Sequence, residues 1–186
     1  MKNKSIIWIY PLALMAILLM LSVSCKKKAD TTTSTTPKVI GQQYGGGIIF
    51  YVDVTGQHGL IAASGDQSSS AEWGCYGTSI PGTSTALGTG QANTTAIINT
   101  CGTAGIAASI CDQLVLNGYS DWYLPSRDEL NQMYIQKTVI GGFANDSYYS
   151  SSEDDANLAW VIYFHNGTQF GRNKSVANFV RAIRAF

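Results

Sequence analysis

The sequence predicts one mixed α+β domain whose first and last strands lie in the same sheet. Runs rich in β-branched and aromatic residues occur near both ends of the chain, at 48–53 and 179–186. Helix-type patterns lie between these runs, and the clearest of them begins at Ser126. Strands at both ends with helices between them are typical of an α+β domain.

Charge is distributed unevenly along the chain. It has 186 residues, of which 45% are hydrophobic and 13% are charged, so it can bury the core of one domain. The net charge is zero, but six of the twelve basic residues lie before position 39. From Val39 onward, six basic residues stand against eleven acidic ones, a net charge of −5. A negative domain repels phosphate backbones, so no nucleic-acid partner is expected.

Residues 1–24 have the pattern of an export signal. Lys2 and Lys4 precede an apolar segment at 6–23, and small residues stand before Cys25. This arrangement resembles a bacterial lipobox, in which Cys25 becomes the lipid-modified first residue of the mature protein. The alternative is a transmembrane anchor, since eighteen mostly apolar residues could just span a bilayer. Lys26, which follows Cys25, favours an outer-membrane lipoprotein.

Residues 25–38 predict a tether, and residues 39–186 predict the folded domain. The segment 26–38 reads KKKADTTTSTTPK and has no apolar residue able to form a core. The domain therefore reaches the membrane through a lipid anchor.

A first hairpin is predicted from strands at 48–53 and 60–64. A Gly-containing turn at 55–59 separates them. The three glycines at 45–47 precede the first strand and no Gly-Lys-Ser/Thr follows them, which excludes a phosphate-binding loop.

Helices are predicted in the middle of the chain. Asn93 caps a short helix that ends near Asn99, and a second helix covers 104–116. Trp122 to Leu124 predict a strand that Pro125 ends. Ser126 and Glu129 then have the spacing of a capping box at the start of a central helix.

The last third of the chain predicts a second hairpin and a closing strand. Residues 158–164 and 168–171 flank Asn166-Gly167, which favours a tight turn. The closing strand at 179–186 carries Arg181 and Arg184, which strand alternation places on opposite faces. One of them is expected to pair with Glu129 or Glu153.

Candidate ligand-binding residues lie in the long loop 64–90 and in the segment 146–157. The loop carries Trp73 and Tyr76, an aromatic set that sugars use, although Trp73 also fits a core position. The second segment is acidic, and Glu153, Asp154 and Asp155 could hold Ca²⁺, whereas a solvated turn would need no cofactor. The remaining candidates are Asp146, Asn157, Arg172 and Lys174.

Three cysteines belong to the domain, and we expect one disulfide and one buried thiol. Cys101 and Cys111 would be separated by most of a helix, unless the intervening turn folds back. This favours a Cys75–Cys101 disulfide. No CxxC spacing indicates a zinc site.

Residues 45–186 resemble the Lcl C-terminal-like family of bacterial surface domains. The resemblance rests on GGGIIFYVD (45–53), AEWGC (71–75), GTGQANT (88–94), GYSDWYLPSRDEL (118–130), SSSE (150–153) and VRAIRAF (180–186). It implies a C-type-lectin-like fold, which formylglycine-generating-enzyme-like domains share. Those enzymes use cysteines late in the chain, and none follows Cys111 here.

The resemblance and the residues together predict a non-catalytic surface lipoprotein that binds glycan or protein. The family includes an adhesin for sulfated polysaccharides, but the domain charge of −5 argues against that ligand here. His58 and His165 lie in predicted turns, where a histidine is more often solvated than catalytic. A purely structural or protein-interaction component of the envelope is the alternative, and an enzyme is a further one.

Overall fold

The computed structural model describes residues 37–186, and this part of the chain contains nine strands and four helices. The predicted signal at 1–24, the lipidated Cys25 and most of the tether lie outside the described residues. Within residues 37–186, no helix has the length and hydropathy needed to cross a bilayer.

The first sheet joins the two ends of the domain, as expected. Its order is β1-β2-β3-β9, and every neighbouring pair is antiparallel. These strands are β1 (Gln43–Tyr44), β2 (Gly47–Val52), β3 (Gly59–Ala62) and β9 (Ile183–Ala185). Both faces of this sheet are buried, because Ile49 and Ile61 pack into one apolar cluster while Phe50 and Leu60 pack into another. The sheet is therefore the centre of the domain.

The second sheet has the order β4-β8-β5-β6-β7. Its members are β4 (Ser68–Ala71), β5 (Ser147–Glu153), β6 (Leu158–Tyr163), β7 (Thr168–Asn173) and β8 (Asn178–Val180). Only β5 and β8 pair in parallel. The predicted hairpin around Asn166-Gly167 is present as β6 and β7. Their antiparallel pairing begins at Tyr163 and Thr168 and continues to Leu158 and Asn173.

Two predicted strands differ in the structure. The segment 122–124 is not a strand, because only Tyr123 makes an isolated bridge, with Ile183. The predicted closing strand at 179–186 is two strands, since β8 belongs to the second sheet and β9 to the first. Arg181 and Ala182 lie between them, so strand alternation does not relate Arg181 to Arg184.

The helices begin and end at different residues from those predicted. They are α1 (Gly90–Cys101), α2 (Ala107–Asp112), α3 (Arg127–Ile135) and α4 (Lys137–Ile140). Asn93 lies inside α1 and caps nothing, because its side chain exchanges two hydrogen bonds with the backbone of Ser84. The second helix is shorter than predicted, since a turn at 104–105 precedes it. The predicted capping box of α3 is present at Ser126 and Glu129.

Candidate functional site

Three segments meet at one end of the domain, which we call the loop end. They are the loop 74–85, the turn 154–157 between β5 and β6, and the first turn of α3. The amide of Gly77 donates to the carbonyl of Ala156 at 3.0 Å, which joins the loop to the turn. The amide of Asp128 donates to the carbonyl of Thr85, also at 3.0 Å, which joins the loop to the helix.

A buried ion pair between Glu153 and Lys174 contacts the loop 74–85 and holds it against the second sheet. Lys174 is fully buried, and its Nζ lies 2.5 Å from Glu153 Oε1 and 2.9 Å from the carbonyl oxygen of Thr78. The same carboxylate accepts hydrogen bonds from the Ile80 amide and the Ser79 hydroxyl. Buried charges require such partners. The prediction that Lys174 is free for a ligand is therefore wrong, and Glu153 is occupied by structural contacts as well.

The predicted pairing of Arg181 or Arg184 with Glu129 or Glu153 is also wrong. Arg181 pairs with Asp66 at 2.6 Å, and Arg184 pairs with Asp121 at 2.8 Å. Both arginines are buried. The closing segment thus pairs with acidic residues that sequence spacing did not single out.

Trp73 lies in the core and takes no part in a surface site. Its side chain is fully buried, and its Nε1 donates to the carbonyl of Ser150 at 2.8 Å. The ammonium of Lys174 lies 4.7 Å from the ring centroid. This indole packs between the second sheet and the loop that it supports.

Tyr76 is the exposed aromatic residue of the loop end. Its side chain is 57% exposed, and it follows Cys75, whose disulfide with Cys101 is present as predicted. Cys75 adopts a positive φ of 53°, which turns the chain outward at this point. The disulfide ties this turn to the end of α1, so Tyr76 projects from a fixed base.

The exposed residues of the neighbouring turn are Asp154, Asp155 and Asn157. Asp155 Oδ1 accepts the amides of Asn157 and Leu158, at 2.7 and 2.8 Å, and this shapes the turn. Asp154 lies beside Gly171, where any larger side chain would collide with its carboxylate. The structure thus brings these three candidates next to the Tyr76 loop.

Asp146 and Arg172 do not join this group. Asp146 precedes β5, at the opposite end of that strand from Glu153, and its carboxylate accepts the amide of Ser147. Arg172 lies on β7 opposite Ala159, partly buried, and its Nε is buried without a hydrogen-bond partner in the described chain. The expectation that Asp146 contributes to the same site is wrong.

The acidic cluster does not form a cage of carboxylates. Among residues 37–186, no group of three or more His, Cys, Asp or Glu side chains is placed to hold a metal ion. Glu153 points at Lys174, and a calcium ion would have to displace that ammonium. A calcium site at Glu153, Asp154 and Asp155 therefore requires a rearrangement of the ion pair.

The capping box holds a second part of the loop in place. Ser126 accepts the Glu129 amide, and Glu129 accepts the Ser126 amide at 2.7 Å. The other carboxylate oxygen accepts the amide of Gly88 at 2.9 Å. Burial raises the pKa of Glu129 despite these hydrogen bonds. Both residues are structural, as predicted from their spacing.

The domain also has a shallow cleft that sequence reasoning missed. It encloses about 260 Å³ between the β2–β3 hairpin, the loop at Leu87 and the end of β9. Tyr51 and Leu60 line it, while Asp53 and His58 stand at its rim. A hydrogen bond from the Thr55 side chain holds the pKa of Asp53 below its ordinary value. Alternation along β2 could have indicated Tyr51, but the approach of Leu87 is a long-range contact.

The two histidines lie on separate exposed turns, and Cys111 is buried. The amide and hydroxyl of Thr55 and the amide of His58 already donate to Asp53 Oδ1. Burial raises the pKa of the Cys111 thiol well above its ordinary range. His165 stands beside Tyr163, with ring centroids 5.7 Å apart. A histidine and the free thiol therefore do not share a site.

Comparison with known proteins supports the sequence resemblance. A search of curated proteins found no match. Residues 65–184 match the model of the Lcl C-terminal domain, which covers more than half of the chain and all of the loop end. The matched region begins before β4 and ends within β9, so it contains the second sheet and all four helices. The chain therefore belongs to the Lcl C-terminal domain family.

Proposed function

We propose that this protein is a non-catalytic surface lipoprotein whose domain binds neutral glycan through Tyr76 at the loop end. The observation that carries the proposal is the exposure of Tyr76, 57%, on a loop that a disulfide and a buried ion pair hold rigid. A rigid aromatic ring loses little conformational entropy when a ligand binds. Sugar rings stack their apolar face on such a ring.

The turn beside Tyr76 supplies the polar groups that a glycan needs. Asp154 and Asp155 offer carboxylate oxygens, and Asn157 offers both an acceptor and donors. Hydroxyl groups of a neutral sugar can donate to the carboxylates and accept from the amide. The acidic character of this turn disfavours sulfated or phosphorylated ligands.

Within residues 37–186, neither histidine lies beside the free thiol, and this supports a binding role over catalysis. Nucleophilic catalysis requires the two groups within hydrogen-bond reach of each other. Cys111 is buried in the core, and His58 stands at the rim of the cleft. A protein ligand at the same loop end is the alternative, because an exposed tyrosine is also common in protein interfaces.

A glycan array probed with the full-length detergent-solubilised protein tests the proposal, with and without calcium. We expect binding to neutral glycans that Tyr76→Ala weakens about three- to tenfold, because aromatic stacking contributes roughly 0.5–1.5 kcal/mol. Tyr76→Phe should retain most of the affinity, since the ring is kept. Leu87→Ala, at an exposed position of the cleft, is the matched control and should bind normally.

Two results would contradict this assignment. Equal binding by Tyr76→Ala and the unchanged protein would remove the loop end from the site, and a loss in Leu87→Ala would assign the site to the cleft. Absence of any glycan signal, together with capture of a defined surface protein that depends on Tyr76, would favour the protein-interaction alternative. Glycan binding that occurs only with calcium would establish a calcium site at the loop end, which the Glu153–Lys174 ion pair disfavours.

The proposed localisation is the outer membrane, through lipid on Cys25. Replacement of Cys25 by Ala should release the protein from the lipid-modified fraction and block processing of the signal at 1–24. Metabolic labelling with a fatty-acid analogue measures the first effect, and the mass of the mature N-terminus measures the second. Unchanged fractionation and an unprocessed N-terminus in both proteins would instead indicate a transmembrane anchor.

A further inference from the structure

Four exposed aliphatic side chains cluster where the described chain begins. Val39 and Ile40 precede β1, Ile135 ends α3, and Val139 lies on α4, with exposed fractions of 56%, 45%, 57% and 46%. The N-terminal segment contacts α4, because a Cβ atom placed on Gly41 would lie 3.1 Å from Val139 Cγ1. We call these four residues the apolar patch.

Ile135 and Val139 lie on either side of a short break between α3 and α4. Gln136 separates the two helices, since its amide donates to the carbonyl of Gln132 and its carbonyl accepts the amides of Val139 and Ile140. Both aliphatic side chains are exposed and are four residues apart in the chain. The patch is therefore formed by two chain segments, one on each side of Gly41.

The charge around the apolar patch is opposite to that of the domain. The segments 37–52 and 130–145 contain no Asp or Glu, although the domain as a whole carries −5. They contain Lys38 and Lys137. The ammonium of Lys38 lies 3.8 Å from the Tyr44 ring centroid, and that of Lys137 donates to the carbonyl of Phe164 at 2.7 Å. Lys38 thus contacts an aromatic ring and Lys137 a backbone carbonyl, and each lies on a segment that carries part of the patch.

The part of the chain that would carry the membrane anchor enters the domain at this patch. The described residues begin at Pro37, two positions before Val39. Eleven residues, 26–36, separate Cys25 from Pro37, and they span at most about 40 Å when fully extended. A lipid on Cys25 would therefore keep the apolar patch close to the bilayer, at a high effective concentration.

The geometry points to the apolar patch as a docking surface for the lipid bilayer, an inference that rests on the proposed lipid anchor. We propose that Val39, Ile40, Ile135 and Val139 insert among the headgroups, where Lys38 and Lys137 face the phosphates of anionic lipids. Aliphatic side chains next to lysine are suited to this interface, since burial of apolar area and attraction to anionic lipid act together.

The loop end and the apolar patch lie at opposite ends of α3. The apolar patch includes the last residue of α3, whereas the first turn of that helix belongs to the loop end. A nine-residue helix is about 13 Å long. Docking through the patch thus leaves the first turn of α3 about one helix length from the docked residue Ile135. A second copy of the chain is disfavoured as the occupant, because it would bring lysines of the same charge together.

Hydrogen exchange of the full-length lipoprotein tests this proposal. The protein is reconstituted into vesicles of phosphatidylethanolamine and phosphatidylglycerol, and amide exchange at 39–44 is compared with that in non-ionic detergent micelles. We expect exchange at least threefold slower in vesicles. In the variant Ile135→Asp/Val139→Asp, the slowing should disappear, although residues 39–44 themselves are unchanged.

The matched control is Val54→Asp/Val115→Asp, which places the same two charges at exposed aliphatic positions outside the patch. It should keep the slowing seen for the unchanged protein. Equal exchange in vesicles and micelles for the unchanged, vesicle-bound protein would overturn the docking surface while leaving the anchor intact. Failure of the unchanged protein to float with vesicles would instead overturn the anchor. Slow exchange in both media, together with a dimeric mass, would assign the patch to a second copy.

Discussion

Glu153 and Lys174 show how a charged pair can serve the architecture of a binding loop. Lys174 is fully buried, yet its ammonium contacts both the Glu153 carboxylate and the loop carbonyl of Thr78. The two charges connect the end of β5, the residue after β7 and the loop that carries Tyr76. Removal of one charge leaves the other without a counterion in a site that water does not reach.

We expect Glu153→Gln to lower the free energy of unfolding by about 3–5 kcal/mol, because the Lys174 ammonium loses its counterion. The double variant Glu153→Gln/Lys174→Met should lose less than the sum of the two single variants. Urea denaturation of all three proteins measures these free energies. Asp128→Asn is the control, since the Arg127–Asp128 pair is exposed and contributes at most about 1 kcal/mol. Strict additivity would contradict a direct interaction.

Helix α3 illustrates an element whose start is set locally and whose position is set by the fold. Ser126 and Glu129 form the capping box from four consecutive residues. Glu129 is also fully buried and accepts the amide of Gly88, which lies in the loop before α1. Burial of this carboxylate raises its pKa above the ordinary value of 4.5.

This raised pKa predicts a pH dependence of stability. The folded state holds the Glu129 proton more tightly than the unfolded state, so the stabilisation is complete below the ordinary pKa. It is lost as the pH rises through the pKa of the folded state. We expect the unfolding free energy of the unchanged protein, relative to Glu129→Gln, to fall as the pH rises above the ordinary glutamate pKa of 4.5.

Urea denaturation of both proteins at pH values on both sides of this pKa measures the difference. Asp128→Asn keeps Glu129 and should retain the part of the pH profile that depends on this residue. A difference between the unchanged protein and Glu129→Gln that does not vary with pH would show that the effects of burial and of the hydrogen bonds to the carboxylate cancel. Such a result would remove Glu129 as a source of pH dependence.

The part of the chain from Val39 onward is acidic, and its basic groups are largely engaged in ion pairs. Lys174, Arg181 and Arg184 form ion pairs in the interior, and Arg127 pairs with Asp128. With a net charge of −5 from Val39 onward, the domain offers no concentration of unpaired cations at the loop end. Electrostatic attraction of a polyanion needs such a concentration.

We therefore expect the domain to pass through a heparin column without retention at about 0.15 M salt. At this salt concentration, exposed charges more than about 8 Å apart are largely screened from each other. The lysines at 26–28 lie outside the domain, so the full-length protein is compared with a variant that has serine at these three positions. Retention of the unchanged protein alone would assign the effect to the tether. Salt-sensitive retention of the serine variant would contradict the charge argument.

The features that were predictable involve residues close together in the chain. The β6–β7 hairpin follows from the apolar run of β6 and the turn signal Asn166-Gly167, and the start of α3 follows from Ser126 and Glu129. The strand predicted at 122–124 is wrong, because Trp122 to Leu124 have strand composition but only Tyr123 pairs with a strand, in one bridge to Ile183 of β9. The composition of a segment indicates that it is buried, but it forms a strand only where a neighbouring strand pairs with it.

Two segments of the candidate site meet in the structure. The loop 64–90 and the segment 146–157 were predicted to carry the site, and they contact each other where Gly77 donates to Ala156. Lys174 is buried and Asp146 lies at the far end of β5, contrary to expectation, whereas Trp73 has the core position that its sequence context also favoured. The cleft at Tyr51 was not predicted, because Leu87 reaches it from a distant part of the chain.

The amino-acid sequence was sufficient for the α+β class, the family, the Cys75–Cys101 disulfide and the shared sheet of the two ends, since periodicity, caps and cysteine spacing are local signals. Only the tertiary structure decided which polar residues remain exposed. Glu153 and Asp154 are adjacent and chemically alike, yet the first meets a buried lysine and the second lies on the surface. Burial depends on what the rest of the chain places opposite each residue, and that is a property of the whole fold.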